Sequence, residues 1–221
     1  MMTMLKRIST LLLACCAVSA GATGLQSLEL FVKNVKSGRA EFTQLVTSPA
    51  KEGQAPRTKT SSGSFAFSRP SRFKFIYKKP FEQSIVADGR TLWLYDVDLN
   101  QVTARKQAQA LGSTPAALIA SAADLHALQA DFSLSDAPDK DGLQWVLATP
   151  KSKDGQLQAV RVGLRLHASK PESIPELAVL EILDSFGQRS VLTFSSVESN
   201  PTLPPSDFEF KVPAGADVIR Q

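Results

Sequence analysis

Between residues 24 and 36 the apolar positions Leu25, Leu28, Phe31, Val32 and Val35 recur at steps of three and four. That spacing puts them on one face of an amphipathic helix, which Gly38 ends. From Arg39 onward the period falls to two. Ala40, Phe42 and Gln44 alternate with Glu41, Thr43 and Leu45, and Phe65 and Phe67 alternate with Ser64, Ala66 and Ser68. Phe73, Phe75 and Tyr77 alternate in the same way with Arg72, Lys74 and Ile76. A period of two describes β-strands, here with one larger and more aromatic face.

Further strand segments follow at short spacing: Glu82–Ala87, Thr91–Tyr95, Leu99–Ala104, Asp131–Leu134, Leu143–Thr149, Leu157–Leu166, Glu176–Leu183 and Ser190–Ser199. Asp88-Gly89, Asp141-Gly142, Asp154-Gly155 and Phe186-Gly187 supply the turns between them. A mainly β chain of about eleven strands in meander order predicts one antiparallel sheet that must curl or close. Between Lys106 and Leu128 the chain turns Ala-rich and loses its alternation. Ser113-Thr114-Pro115 reads as a helix start, with a hydroxyl cap and proline in the first turn, and a second helical turn fits Ala123 to Leu128. These short helices are expected on the concave face of the sheet. The tail, Pro-rich from Asn200 to Pro205, leads into a last extended segment carrying Phe208, Phe210 and Val212.

Composition narrows the setting. Of 221 residues, 43% are hydrophobic and 21% charged, a globular balance. Residues 1–22 read as a signal peptide: Lys6 and Arg7, an apolar stretch from Ile8 to Val18, then Ala20-Gly21-Ala22. A competing reading takes Leu12-Leu13-Ala14-Cys15 as a lipoprotein cleavage box, which Leu13 and the short apolar stretch before Cys15 fit poorly. Removing Lys6 and Arg7 lowers the formal charge from +4 to +2, so no dominant field for nucleic acid remains. Both cysteines, Cys15 and Cys16, leave with the leader, and residues 23–221 form a single exported domain without disulfide or thiol chemistry.

Catalytic patterns are missing from the sequence. His126 and His167 have no metal-ligand partner at useful spacing, and no nucleophile elbow or phosphate loop occurs. Asp96-Val97-Asp98-Leu99-Asn100 opens like a calcium loop but continues with Gln101 and Gln107 where glycine and glutamate are required. The run from Arg69 to Lys79 interleaves basic and aromatic residues as a half-buried strand with a solvated basic face would. Arg69, next to Pro70 at the strand entry, needs partners if it faces an apolar interior. From pattern alone the aromatic face either packs a closed core or binds an apolar ligand.

Specific motifs add to this. Phe67-Ser68-Arg69-Pro70-Ser71-Arg72-Phe73-Lys74-Phe75, Pro80, the stretch Ser84 to Asp96 containing Ala87-Asp88-Gly89-Arg90-Thr91-Leu92-Trp93, and Leu99-Asn100-Gln101-Val102 together resemble the LolA family of periplasmic lipoprotein carriers. Ala40-Glu41-Phe42-Thr43-Gln44 looks like that family's first strand, and Gly112 to Ile119 like its lid helix. The resemblance implies an incomplete antiparallel β-barrel closed by a small α-helical lid over an apolar cavity. It implies a non-enzymatic chaperone without cofactors that accepts triacylated lipoproteins from an inner-membrane ABC transporter and delivers them to the outer-membrane receptor LolB. It further implies a periplasmic monomer. Arg69 matches the arginine that bonds lid backbone in the empty form, and Phe73 an aromatic near the mouth. Phe42, Phe65, Phe67, Phe75 and Trp93 are expected beside Phe73 along the cavity or its mouth, and Pro115, Leu118 and Ile119 in the lid helix. A periplasmic lipid or lipoprotein sensor, or a specialised paralogue, is the alternative of the same architecture.

Overall fold

The computed structural model describes residues 22–50, 53–111, 119–120, 124–153, 155–167 and 174–221. Thr23 starts the first helix with a capping box: its hydroxyl accepts from the Gln26 N–H, and the Gln26 side chain accepts from the Thr23 N–H. This helix, α1 (Gly24–Asn34), buries Leu28, Phe31 and Val32, the face marked by the three-and-four spacing. It ends at Asn34, capped by Val35, two residues before Lys36, the end of the expected pattern.

Two meanders follow. The first is β1 (Ser37–Ser48), β2 (Arg57–Ser68), β3 (Arg72–Lys79), β4 (Gln83–Asp88), β5 (Thr91–Asp96) and β6 (Gln101–Lys106). Helices α2 (Gln107–Leu111) and α3 (Leu125–Asp131) lie between it and the second, β7 (Phe132–Lys140), β8 (Leu143–Pro150), β9 (Leu157–Arg165), β10 (Glu176–Asp184) and β11 (Arg189–Ser199). Pairing of β1 with β11 fuses the meanders, and a final strand, β12 (Asp217–Arg220), joins parallel to β6. The result is one twelve-stranded sheet in the order β12-β6-β5-β4-β3-β2-β1-β11-β10-β9-β8-β7. Among the described residues β12 and β7 each have one strand neighbour, so the sheet is an incomplete barrel with an open side.

Several boundaries differ from expectation for local reasons. β1 and β2 run well beyond the alternating stretches, because their distal halves carry mostly polar or half-exposed residues that leave no hydrophobic period to read. Helix α2 occupies Gln107–Leu111, ahead of the expected helix start at Ser113-Thr114-Pro115, which lies outside the described residues, and α3 takes Asp131 from the expected strand. The tail forms a 3-10 turn at Pro205–Phe208, and the terminal strand lies further on, at Asp217–Arg220. Residues 1–21 of the expected leader 1–22, together with Pro115 and Leu118, lie outside the described residues.

Both faces of the sheet bury apolar side chains. The concave face and α1 share the large core, in which Phe31, Phe42, Phe65, Phe67, Phe75 and Phe194 are all buried. On the convex face the 3-10 turn packs against β3 and β4, where Phe208 is buried, and Phe210 stacks on Trp93 at 5.3 Å. Val86 and Ala104, the direct cross-strand neighbours of Trp93, are buried there as well.

Gly63 is required where β2 bulges against β3. A Cβ there would stand 1.9 Å from the Ile76 carbonyl oxygen, which is backbone and cannot yield. Gly63→Ala is expected to lower unfolding free energy by about 2–3 kcal/mol in denaturant melts. Ala66→Ser, three residues along the same strand, should stay within about 0.5 kcal/mol of the parent.

Candidate functional site

Strand parity builds a graded wall on the concave face of the first meander. On β3 the inward residues are Phe73, Phe75 and Tyr77; on β4 and β5 they are Ile85, Leu92 and Leu94; on β1 they are Phe42 and Gln44. With Leu180, Ile182 and Leu192 from the opposite strands, they enclose a cavity of about 590 Å³. Its open side is bounded by Arg105, Lys106, Gln109 and Ala110 from β6 and α2, and by Ile119. A mostly apolar enclosure of this size with a few polar groups at one border has the form of a small-molecule or acyl-chain site.

The predicted aromatic positions separate into three groups. Phe73 and Phe75 line the cavity. Phe42 stands behind them, edge-on to Phe75 at 5.5 Å and to Tyr77 at 5.1 Å. Phe65 and Phe67 fill the packed part of the concave face: Phe65 stacks on Phe75 at 4.3 Å, and Phe67 meets Phe31 of α1 at 6.4 Å. Trp93 is a correction. Leu92 and Leu94 point into the cavity, so the residue between them points out; Trp93 lies under Phe210 on the convex face, and its indole N–H donates to Asp88 at 2.9 Å.

Arg69 bridges α1 and Ile119. Its Nε and Nη2 donate to the Ile119 carbonyl at 3.0 and 2.6 Å, and its Nη1 donates to the Val32 carbonyl of α1 at 2.9 Å. The guanidinium lies over the rings of Phe31 and Phe67 at 5.2 and 5.5 Å. Among the described residues no carboxylate forms an ion pair with it. Burial pushes the guanidinium pKa down to about 10, still well above neutral pH, so the charge is retained and held by carbonyls and π-faces.

Sequence reasoning missed Gln107, a polar residue 3% exposed. Its Nε2 donates to the Ser71 carbonyl at 2.6 Å, its Oε1 accepts from the Gly89 N–H at 2.9 Å, and its own N–H donates to the Arg90 carbonyl at 2.8 Å. The first residue of α2 is thereby tied to the β2–β3 and β4–β5 turns together. The Ser71 N–H also donates to the Ala120 carbonyl at 2.8 Å, so Ser71 is bonded both to Gln107 and to Ala120. No local motif announces Gln107, because its partners are backbone groups brought close only by the fold.

Inside the cavity, the Tyr77 hydroxyl donates to Gln44 Oε1 at 3.0 Å. Burial raises the phenol pKa to about 12. His126 is exposed on α3, and His167 lies at the surface 3.4 Å from Glu176; both stand outside the cavity lining.

Comparison with known proteins converges on one family. Residues 33–211 match the family described as Outer membrane lipoprotein carrier protein LolA. The chain is 72% identical to the Outer-membrane lipoprotein carrier protein of Albidiferax ferrireducens, over 98% of this chain and 100% of that one. It is 51% identical to the protein of the same description from Leptothrix cholodnii, over 92% of this chain and 88% of the relative. Among solved structures, a DUF1329 family protein from Desulfovibrio piger shares the fold with a TM-score of 0.51 at 12% identity, covering 84% of this chain and 95% of that one.

The raised Tyr77 pKa has a definite sign. The folded protein keeps a phenol proton that the unfolded chain loses near pH 10, so stability falls as pH rises from about 10 toward 12. The chain has two tyrosines. Alkaline absorbance titration should show a component near pH 12 that disappears in Tyr77→Phe, and that variant should lose less stability across the same interval.

Proposed function

This chain belongs to the LolA family of outer membrane lipoprotein carrier proteins, and on that premise we propose that its cavity shields the acyl chains of triacylated lipoproteins during transit through the periplasm. The carrier receives them from an inner-membrane ABC transporter and hands them to the outer-membrane receptor LolB, and residues 1–22 are the leader that exports it. The observation that carries this reading is the pairing of an apolar cavity with a cover fastened by one guanidinium. In it Phe73, Phe75 and Ile119 contact acyl chains, Phe42, Phe65 and Phe67 brace the wall from behind, and Pro115 and Leu118 belong to the lid with Ile119.

The energetics fit a carrier better than a permanent receptor or a catalyst. Each buried methylene is worth ~0.8 kcal/mol, so several acyl chains release far more free energy than transient carriage can retain. A cover that occupies the mouth when empty competes with cargo and subtracts its own binding from the net affinity. Arg69 suits that competition, because its bonds to carbonyls can be exchanged for bonds to water once the cover lifts. A salt bridge would leave a second charge stranded.

The direct test is release of a triacylated lipoprotein from spheroplasts into solution by the purified protein, followed by transfer to receptor-bearing outer membranes. The native protein should carry out both steps. Leu94→Glu places a charge on the cavity wall and should abolish release while leaving the circular dichroism spectrum intact; unchanged release would overturn the cavity assignment. Arg69→Leu should still solubilise lipoprotein but transfer it at least about tenfold more slowly, since loss of the cover's anchoring bonds favours the loaded state. Normal transfer by this variant would remove Arg69 from the proposed role.

A further inference from the structure

The inward side chains change character along the strands. Near the cover, Phe73, Leu92 and Ile119 make an apolar wall, with Arg105, Lys106 and Gln109 at the border beside it. Two to four residues away, Tyr77 and Gln44 face the same space, and beyond them the wall opens into a cleft of about 490 Å³ bordered by Val46, Gln83, Asp96 and the rim residue Phe81. Gln44 and Tyr77 line both spaces and therefore mark their junction. On β3 the separation of Tyr77 from Phe73 is ~13 Å at 3.3 Å per residue.

At that junction the Tyr77 hydroxyl donates to the Gln44 carbonyl oxygen, which fixes the amide with its NH2 group free. Among the described residues that NH2 group has no hydrogen-bond partner. A side-chain amide carries two N–H donors, and donors left without an acceptor when water is expelled carry a desolvation penalty. A free acyl tail offers only hydrocarbon over most of its length. Its first acceptor is the carbonyl at its head.

We propose that Gln44, oriented by Tyr77, is a carbonyl-recognition site that receives the head-group carbonyl of a bound acyl chain and sets how deep the chain enters. The inference rests on the proposed acyl-chain cavity and adds its polarity. Chain ends lie toward Phe73 and Ile119, acyl carbonyls at Gln44, and the polar remainder of the cargo leaves past Phe81. The carbonyl belongs either to a glyceryl ester or to an N-acyl amide, which present the same acceptor to the same donor.

The test uses the full-length purified protein and two probe sets. In dye-displacement titrations, dioctanoylglycerol should bind about three- to tenfold more tightly than dioctylglycerol ether, the equivalent of one net hydrogen bond. Gln44→Leu should erase that preference, bringing the ester-to-ether affinity ratio to about one, and Tyr77→Phe should weaken it. If Gln44→Leu fails to fold, Gln44→Met serves, and an ester-to-ether ratio of one in the native protein overturns the proposal without any variant. Infrared spectra of a bound synthetic triacyl lipopeptide, isotope-labelled at the ester or at the amide carbonyl, identify the source: the band that shifts in Gln44→Met is the recognised one. Binding in which neither band shifts overturns this inference alone. Failure of every probe to bind would overturn the acyl-cavity reading beneath it.

Discussion

The open side of this sheet is governed by a charge that has no counter-charge. Arg69 lies over two phenylalanine rings and donates to one carbonyl of α1 and one of the covering segment, Val32 and Ile119. A guanidinium stripped of water must find acceptors, and here they come from two separate elements, so one side chain joins α1 to Ile119. Val32 belongs to the last turn of α1, where helix carbonyls lack intrahelical partners and favour a cation. The placement therefore satisfies orphan acceptors and a buried charge together. The hairpin that presents Arg69 also donates the Ser71 N–H to Ala120 and accepts from Gln107, so the charge acts from a fixed platform.

Strand parity is the second constraint, and it acts on both sides of the sheet. Every inward residue that lines the cavity has an outward neighbour one step away, and on β3–β5 the tail packs against that outer face through Pro205–Phe208 and Phe210. Val86, Trp93 and Ala104 form one cross-strand row on the convex face, closed by Phe208 and Phe210. A thin sheet around a cavity has no solid core behind it. Packing the tail on its outer surface supplies the burial that the cavity withholds on the inner one.

Most of the concave wall was legible in the sequence because aromatic residues alternate with basic and small polar ones in β2 and β3. The three-and-four spacing in α1 likewise identified which face would be buried. Trp93 was misplaced for an equally physical reason. In Thr91-Leu92-Trp93-Leu94-Tyr95 both parities are apolar, so size favours the indole as cavity wall while register assigns that role to the leucines. The outer layer that makes the difference depends on the tail returning across β3 and β4, a contact between residues more than 100 positions apart. Gln107 was illegible in the same sense: an isolated glutamine at a strand end reads as surface, and only the convergence of two turns makes it interior.

The polar positions in the cavity wall bear on how an apolar enclosure can hold and still let go. A wall of leucine and phenylalanine alone binds any hydrocarbon in proportion to buried area, with no preferred depth or direction. The bulk of the affinity then depends on chain length, and release must work against all of it. Under the proposed function the cover offsets part of that sum from its own end of the cavity, because Ile119, buried against the lining, contributes side-chain burial worth roughly 1.5–3 kcal/mol. Arg69 adds its two bonds to the Ile119 carbonyl. At the other end, Tyr77 remains protonated throughout the physiological pH range, so it holds Gln44 in one orientation whatever the local acidity. Under the proposed roles, affinity and registration rest on different residues, and a substitution can change one without the other.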